Sequence, residues 1–157
     1  MVQSREPMKK AGVLFNQRIQ AAQGLAGRLV EALSSSGVEA WSLPASREEE
    51  ARSALEGAEL VFSLGGDGTL LRVARLVAPS RIPIVGVNVG NLGFTTELSH
   101  EEVMARLPDI LAGKGWIDER AMLRMELPLH GDEPACHALN DVVLGRGSMI
   151  RVIKVRA

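Results

Sequence analysis

Between residues 11 and 115, short apolar runs alternate with segments of helical period, and few folds accommodate such an order. Residues 11–16, AGVLFN, are apolar and of strand length. In the segment that follows, Ala22, Leu25, Ala26, Leu29, Val30 and Leu33 fall on one helical face, and Gly37 supplies a stop. Residues 38–44, VEAWSLP, read as a weaker, alternating strand ending at Pro44. Residues 46–58 predict a short helix, with Ser46 as its cap and a run of glutamates complementing its positive end. Residues 59–66, ELVFSLGG, are apolar enough for a central strand, residues 68–80 return to helical period, and residues 82–90, IPIVGVNVG, predict a fourth strand. A further helix is expected over residues 100–115, with Ser99 as cap, Gly113 and Gly115 closing it, and Pro108 at a kink or near its middle. Strands alternating with helices specify an α/β fold: an open, mostly parallel, Rossmann-like sheet flanked by helices.

The pattern changes at Trp116. Met122, Leu123, Met125, Leu127 and Leu129 mark an alternating run, and ALNDVVLGRG and MIRVIKVRA follow without helical segments between them. This predicts an α/β domain over residues 1–115 and the opening of a β-rich second domain over residues 116–157. The run is still alternating at Ala157, so the second domain is expected to be incomplete and the chain truncated or a fragment.

Composition narrows the function classes. Hydrophobic residues make up 46% of the 157, enough for a packed core, and the net charge of −1 leaves no basic footprint for nucleic acid. No apolar run approaches the roughly 18–20 residues that cross a bilayer. The N-terminal MVQSREPMKK lacks an apolar signal core, which makes the cytoplasm the default location. The single cysteine, Cys136, excludes an intrachain disulfide and suits a reducing compartment. It reads as a small, half-buried residue rather than a nucleophile. His100, His130 and His137 share no metal-ligand spacing with one another or with Cys136, so no zinc site is read.

Glycine-rich junctions carry the functional signal. SLGGDGTLL, residues 63–71, joins a strand to a helix, the position where open α/β sheets bind ligands. Gly65, Gly66 and Gly68 let phosphates approach the backbone, N–H groups at the helix start favour anions, and Thr69 adds a hydroxyl. The loop has no P-loop lysine and no G-x-G-x-x-G spacing, so it is neither a Walker A site nor the dinucleotide fingerprint. A plain β-turn-α connection, with Asp67 in a local Asx turn, is the alternative. A second cluster, GVNVGNLGF over residues 86–94, offers Gly90 and Gly93 for a tight loop, Asn88 for hydrogen bonds, and Phe94 to cover a base or to fill the core. The two loops predict a crevice with two walls. In ALNDVVLGRG, Asn140 and Asp141 interrupt an apolar stretch; if Leu139 and Val143 face inward, Asp141 shares their face and Asn140 takes the other. A turn is the alternative there, and Arg72 and Arg75 read either as phosphate contacts or as surface charge on a helix.

Taken together, GGDGT at residues 65–69, the segment at residues 86–94, and Leu139-Asn140-Asp141 resemble the NAD kinase family in order and spacing over about residues 10–157. GGDG alone also occurs in diacylglycerol-kinase-like lipid kinases and phosphofructokinases; the second and third motifs favour NAD kinase. The resemblance implies phosphoryl transfer from ATP or inorganic polyphosphate to the 2′-hydroxyl of NAD's adenosine ribose, giving NADP. It implies a divalent cation, usually magnesium, and a homodimer or homotetramer, with no nucleic-acid or membrane partner. It implies that Asp67 accepts the hydroxyl proton or helps hold the metal–phosphate assembly, and that Gly66, Gly68 and Thr69 lie near the phosphates. Phe94 would lie beside the adenine, and Asn140 and Asp141 would bind NAD, with Asp141 standing where many members have glutamate. The family completes its NAD pocket with a further glycine-, serine- and threonine-rich segment containing a tyrosine. This chain ends before that segment and has no tyrosine, so residues 1–157 alone are expected to be inactive or very weak. A lipid or sugar kinase using the same loop and a non-catalytic nucleotide-binding module are the competing readings.

Overall fold

The computed structural model describes residues 7–90, 96–125 and 136–139. The chain divides into two compact units, residues 1–119 and 120–157. The first unit runs β1 (Lys10–Phe15), α1 (Gln20–Ser35), β2 (Glu39–Pro44), α2 (Glu48–Ala54), β3 (Leu60–Gly65) and α3 (Asp67–Val77). A 3-10 turn at Ala78–Ser80 leads to β4 (Ile84–Asn88), β5 (Leu98–Ser99) and α4 (Glu102–Leu111).

The strands form one five-stranded parallel sheet in the order β2-β1-β3-β4-β5. Burial follows the apolar pattern. Every residue of β3 is buried, as its continuous apolar run requires of a central parallel strand, whereas β2 sits at an edge and stays half-covered. Alternation along the strands divides the core into two layers. Val13, Phe15, Phe62 and Leu64 pack with the α1 stripe and with Val103 and Leu107 of α4. Leu14 and Val61 point the other way, against Ala51 of α2 and Val73, Leu76 and Val77 of α3. Helices therefore cover both faces. Glycine permits one close contact within the sheet: the Trp41 indole of β2 lies over its register partner Gly12, where a Cβ would come within 2.7 Å of ring carbon.

The α1 stripe is buried at Ala22, Leu25, Ala26, Leu29 and Leu33, with Val30 half-covered. Gly37, at φ 82°, ends the helix in a Schellman motif: Val38 N–H donates to the Leu33 carbonyl and Gly37 N–H to that of Ser34, both at 3.0 Å. Ser99 caps α4 reciprocally, accepting from Glu102 N–H at 3.3 Å while its own N–H donates to Glu102 Oε2 at 2.9 Å. Those bonds from Ser99, the backbone one foremost, hold the Glu102 carboxyl below the usual glutamate range. Pro108 lies inside α4.

Two expectations are corrected. Ser46 does not cap α2. Arg47 N–H donates to the Pro44 carbonyl at 3.0 Å, a turn that delays the helix to Glu48 and puts Arg47, without a side-chain cap bond, at the cap position. β5 is a strand the pattern did not predict, because two residues show no periodicity. It is held beside β4 in part by Glu97, whose N–H donates to the Gly86 carbonyl and whose Oε2 accepts from Gly86 N–H at 2.9 Å.

In the second unit, β6 (Leu123–Met125) pairs antiparallel with β7 (Cys136–Ala138). No helix among the described residues is long and apolar enough to cross a membrane.

Candidate functional site

The strand order reverses direction between β1 and β3, since β2 lies outside β1 and the later strands continue beyond β3. Loops leaving the carboxyl ends of two such strands run to opposite faces and leave a crevice between them. A cleft of about 530 Å³ lies there. Its first wall is the β1–α1 connection, Asn16 to Ile19; its second is the loop and first turns after β3, with Gly66, Gly68, Thr69 and Arg72. Ala45 and Ser46, after β2, close one side.

Backbone bonds lock the three strand ends in place. Asn16 N–H donates to the Leu64 carbonyl at 2.9 Å, and Ala45 N–H to the Phe15 carbonyl at 2.9 Å. Asn16 then shapes its own loop: its Oδ1 accepts from Arg18 N–H at 3.0 Å, and its carbonyl accepts from Ile19 N–H at 3.0 Å. This Asx turn delivers the chain into α1.

Both helices that begin at the cleft, α1 and α3, start without a side-chain cap hydrogen bond, at Ile19 and Gly66. First-turn N–H groups have no intrahelical acceptor, and helix dipoles add partial positive charge at the same ends. Arg18 and Arg72 are among the residues of the two walls. Arg72 Nη1 stands 3.9 Å from Glu48 Oε1 of α2. Converging helix starts with two arginines suit an extended polyanion.

The loop glycines divide by what surrounds them. A Cβ on Gly65 would overlap the Thr69 side chain, itself 8% exposed, so packing alone demands glycine there. Gly66 and Gly68 are different. Gly66 has a φ of −100°, Gly68 lies inside α3, and a Cβ on either would meet nothing within 4 Å. Neither backbone conformation nor internal packing requires glycine at these positions, yet both line the cleft.

Asp67 is the first residue of α3 and half-buried, where a carboxylate complements the helix dipole; it is not one of the residues lining the cleft. Asn88 ends β4, is 7% exposed, and is the register partner of Gly65. The two motif-bearing strands are thus neighbours. Gly90 follows with φ 145°, a conformation that favours glycine. Phe94, Asn140 and Asp141 lie outside the described residues. Among the described residues, no group of three or more His, Cys, Asp or Glu side chains could hold a metal ion.

The crevice expected between the loops after β3 and β4 therefore has a counterpart one strand away, between β1 and β3. Asn16, Gln17, Arg18 and Ser46 were not read as site residues. FNQR closing an apolar run was the available signal, but nothing local says which strand end faces the glycine loop. Arg72 is exposed, as a surface charge would be, and it also lines the cleft.

Comparison with known proteins bears on the whole first unit. The family model of the ATP-NAD kinase N-terminal domain matches residues 8–115. A NAD kinase of Dehalococcoides mccartyi strain CBDB1 is 42% identical over 149 residues, covering 94% of this chain and 52% of the relative. A NAD kinase of Heliobacterium modesticaldum is 40% identical over 159 residues, covering 96% of this chain and 56% of the relative. The crystal structure of yeast NADH kinase complexed with NADH matches with a TM-score of 0.68 at 16% identity, over 87% of this chain and 45% of that one; the likeness is one of fold. The chain spans about half the length of the curated relatives it matches.

Proposed function

This chain belongs to the NAD kinase family, and from that premise we propose that the whole protein transfers a phosphoryl group from ATP or inorganic polyphosphate to the 2′-hydroxyl of NAD's adenosine ribose, giving NADP. The observation that carries the donor side is the pair Gly66 and Gly68. Their missing side chains serve no internal contact but open the backbone to the cleft, as phosphate binding requires. The donor's phosphates lie between the starts of α1 and α3, with Arg18 and Arg72 on either wall and Thr69 donating a hydroxyl.

The acceptor approaches from the β4 side. The family resemblance carries NAD binding to Asn88, Phe94, Asn140 and Asp141; of these Asn88 is described, on the strand beside the glycine loop. Asp67 stands at the start of α3 between the two substrates. Phosphoryl transfer needs positioning and charge stabilisation more than covalent chemistry. A ribose hydroxyl is a poor nucleophile near neutral pH, and a carboxylate within about 2.6–3.2 Å takes its proton as the new bond forms. Asp67 is that general base. The family resemblance implies magnesium, which needs only one or two carboxylates beside substrate phosphates and water. In the alternative role Asp67 would hold the ion rather than take the proton, and the ion would supply charge neutralisation among the phosphates. The single cysteine supports a cytoplasmic setting, and the family resemblance supports a homo-oligomer.

The test is an assay of the whole protein with labelled ATP or polyphosphate against NAD, a diacylglycerol and a sugar phosphate. NADP as the labelled product is expected. Label on the lipid or sugar alone, or nucleotide binding with no transfer to any acceptor, would overturn the assignment.

A further inference from the structure

α2 brings a carboxylate to the wall of the cleft that carries Arg72. Ala51 of α2 and Leu55 just beyond it share a buried cluster with Val73, Leu76 and Val77 of α3. This packing holds the two helices together and sets the first residue of α2 beside the second turn of α3. Glu48 Oε1 lies 3.9 Å from Arg72 Nη1, with both side chains about half exposed. Of the neighbouring charges, Arg47 pairs with Glu50 at 3.3 Å. An ion pair as long and as wet as Glu48–Arg72 contributes little to folding. Its position gives it another consequence, because a polyanion in the cleft draws on the same guanidinium.

We propose that Glu48 is an internal competitor for Arg72, a positioning residue that sets how tightly the cleft holds a polyphosphate. In the protein alone, the carboxylate keeps the guanidinium turned toward α2. A bound polyphosphate recruits Arg72 only by displacing it, so part of the attraction between Arg72 and the ligand is offset. The proposal rests on reading the cleft as the phosphoryl-donor site. Its subject, Glu48, lies outside the lining and outside the glycine loop.

Calorimetric titration of inorganic tripolyphosphate into the 157-residue chain at low salt tests it, with the variants E48Q, E49Q, R72Q and E48Q/R72Q. All the substituted side chains are exposed, so folding is preserved. E48Q should bind about two- to five-fold more tightly, the size of a released surface ion pair. R72Q should bind more weakly, and adding E48Q to it should change nothing further. E49Q removes the same charge from the same helical turn without touching the pair, and should have a much smaller effect. An unchanged affinity in E48Q, an equal gain in E49Q, or the same gain on the R72Q background would overturn the proposal while leaving the donor cleft standing. Failure of every variant, and of the parent chain, to bind tripolyphosphate would overturn the cleft and the proposal together.

Discussion

Replacing Gly68 by alanine separates the two reasons a glycine can occupy this loop. Gly68 is the second residue of α3 and exposed, with nothing but its own helical backbone and chain neighbours within 4 Å of the position a Cβ would take. Alanine is favoured over glycine inside a helix by about 0.5–1 kcal/mol, and the lower figure suits a first-turn position. For a unit of this size that corresponds to a rise in Tm of about 2 °C. Gly68 lines the cleft, however, and in the proposed reading the added methyl group stands against the N–H groups that would hold phosphate. Loss of one hydrogen bond to a charged group costs about 1.5–3 kcal/mol, or roughly 10- to 100-fold in affinity. The variant should therefore be slightly more stable than the parent and bind tripolyphosphate far more weakly. Thermal unfolding followed by circular dichroism and calorimetric titration measure the two quantities on one sample. Undiminished binding would refute the reasoning, and a fall in Tm of several degrees would show that the glycine serves the fold.

Three further outcomes are expected. In the complete enzyme, Asp67→Asn should lower turnover by about 10²–10⁴-fold while sparing most NAD binding, as loss of a general base does; an unchanged turnover number would remove Asp67 from that role. Gly65→Ala forces a methyl group onto the buried Thr69 side chain and should cost about 1–3 kcal/mol in chemical denaturation, with Thr69→Ala on the same chain recovering part of it. At α4, the depressed Glu102 pKa means that its contribution is complete above the ordinary glutamate pKa and is lost as pH falls through the lowered value. Ser99→Ala removes the hydroxyl but keeps the backbone N–H bond to the carboxylate, so the Glu102 midpoint in an NMR titration should rise only part of the way to the ordinary glutamate value; a midpoint that stays put would show that the hydroxyl takes no part in setting it.

Much of the fold was legible because its signals are local. The apolar run of β3 marked a central strand, the α1 stripe marked a buried helix face, and Gly37 and Ser99 marked helix ends that the backbone then used as read. Ser46 misled because a capping residue type is also a loop residue type, and a turn bonded to Pro44 decided where α2 begins. The site was legible only in part, and for a different reason. The glycines of GGDGT point to phosphate, whereas the opposing wall, Asn16 to Ile19, carries no compositional mark. It becomes a wall only because β1 and β3 are neighbours at the point where the sheet reverses, and strand order is a non-local property. Arg72 shows the same limit: exposure on a helix and a place in a cleft look alike in sequence.

We propose that the glycine loop and its carboxylate address different groups, phosphates in the cleft between β1 and β3 and the acceptor from the β4 side. Titrating tripolyphosphate into ¹⁵N-labelled chain and following the amide resonances tests the first half directly. The amides of Asn16 to Ile19 and of Gly66 to Thr69 should shift together on one binding curve, while Val89 and Gly90 after β4 stay in place. Shifts at Val89 and Gly90 without any at Asn16 to Ile19 would put the phosphates on the other side of the loop and contradict it.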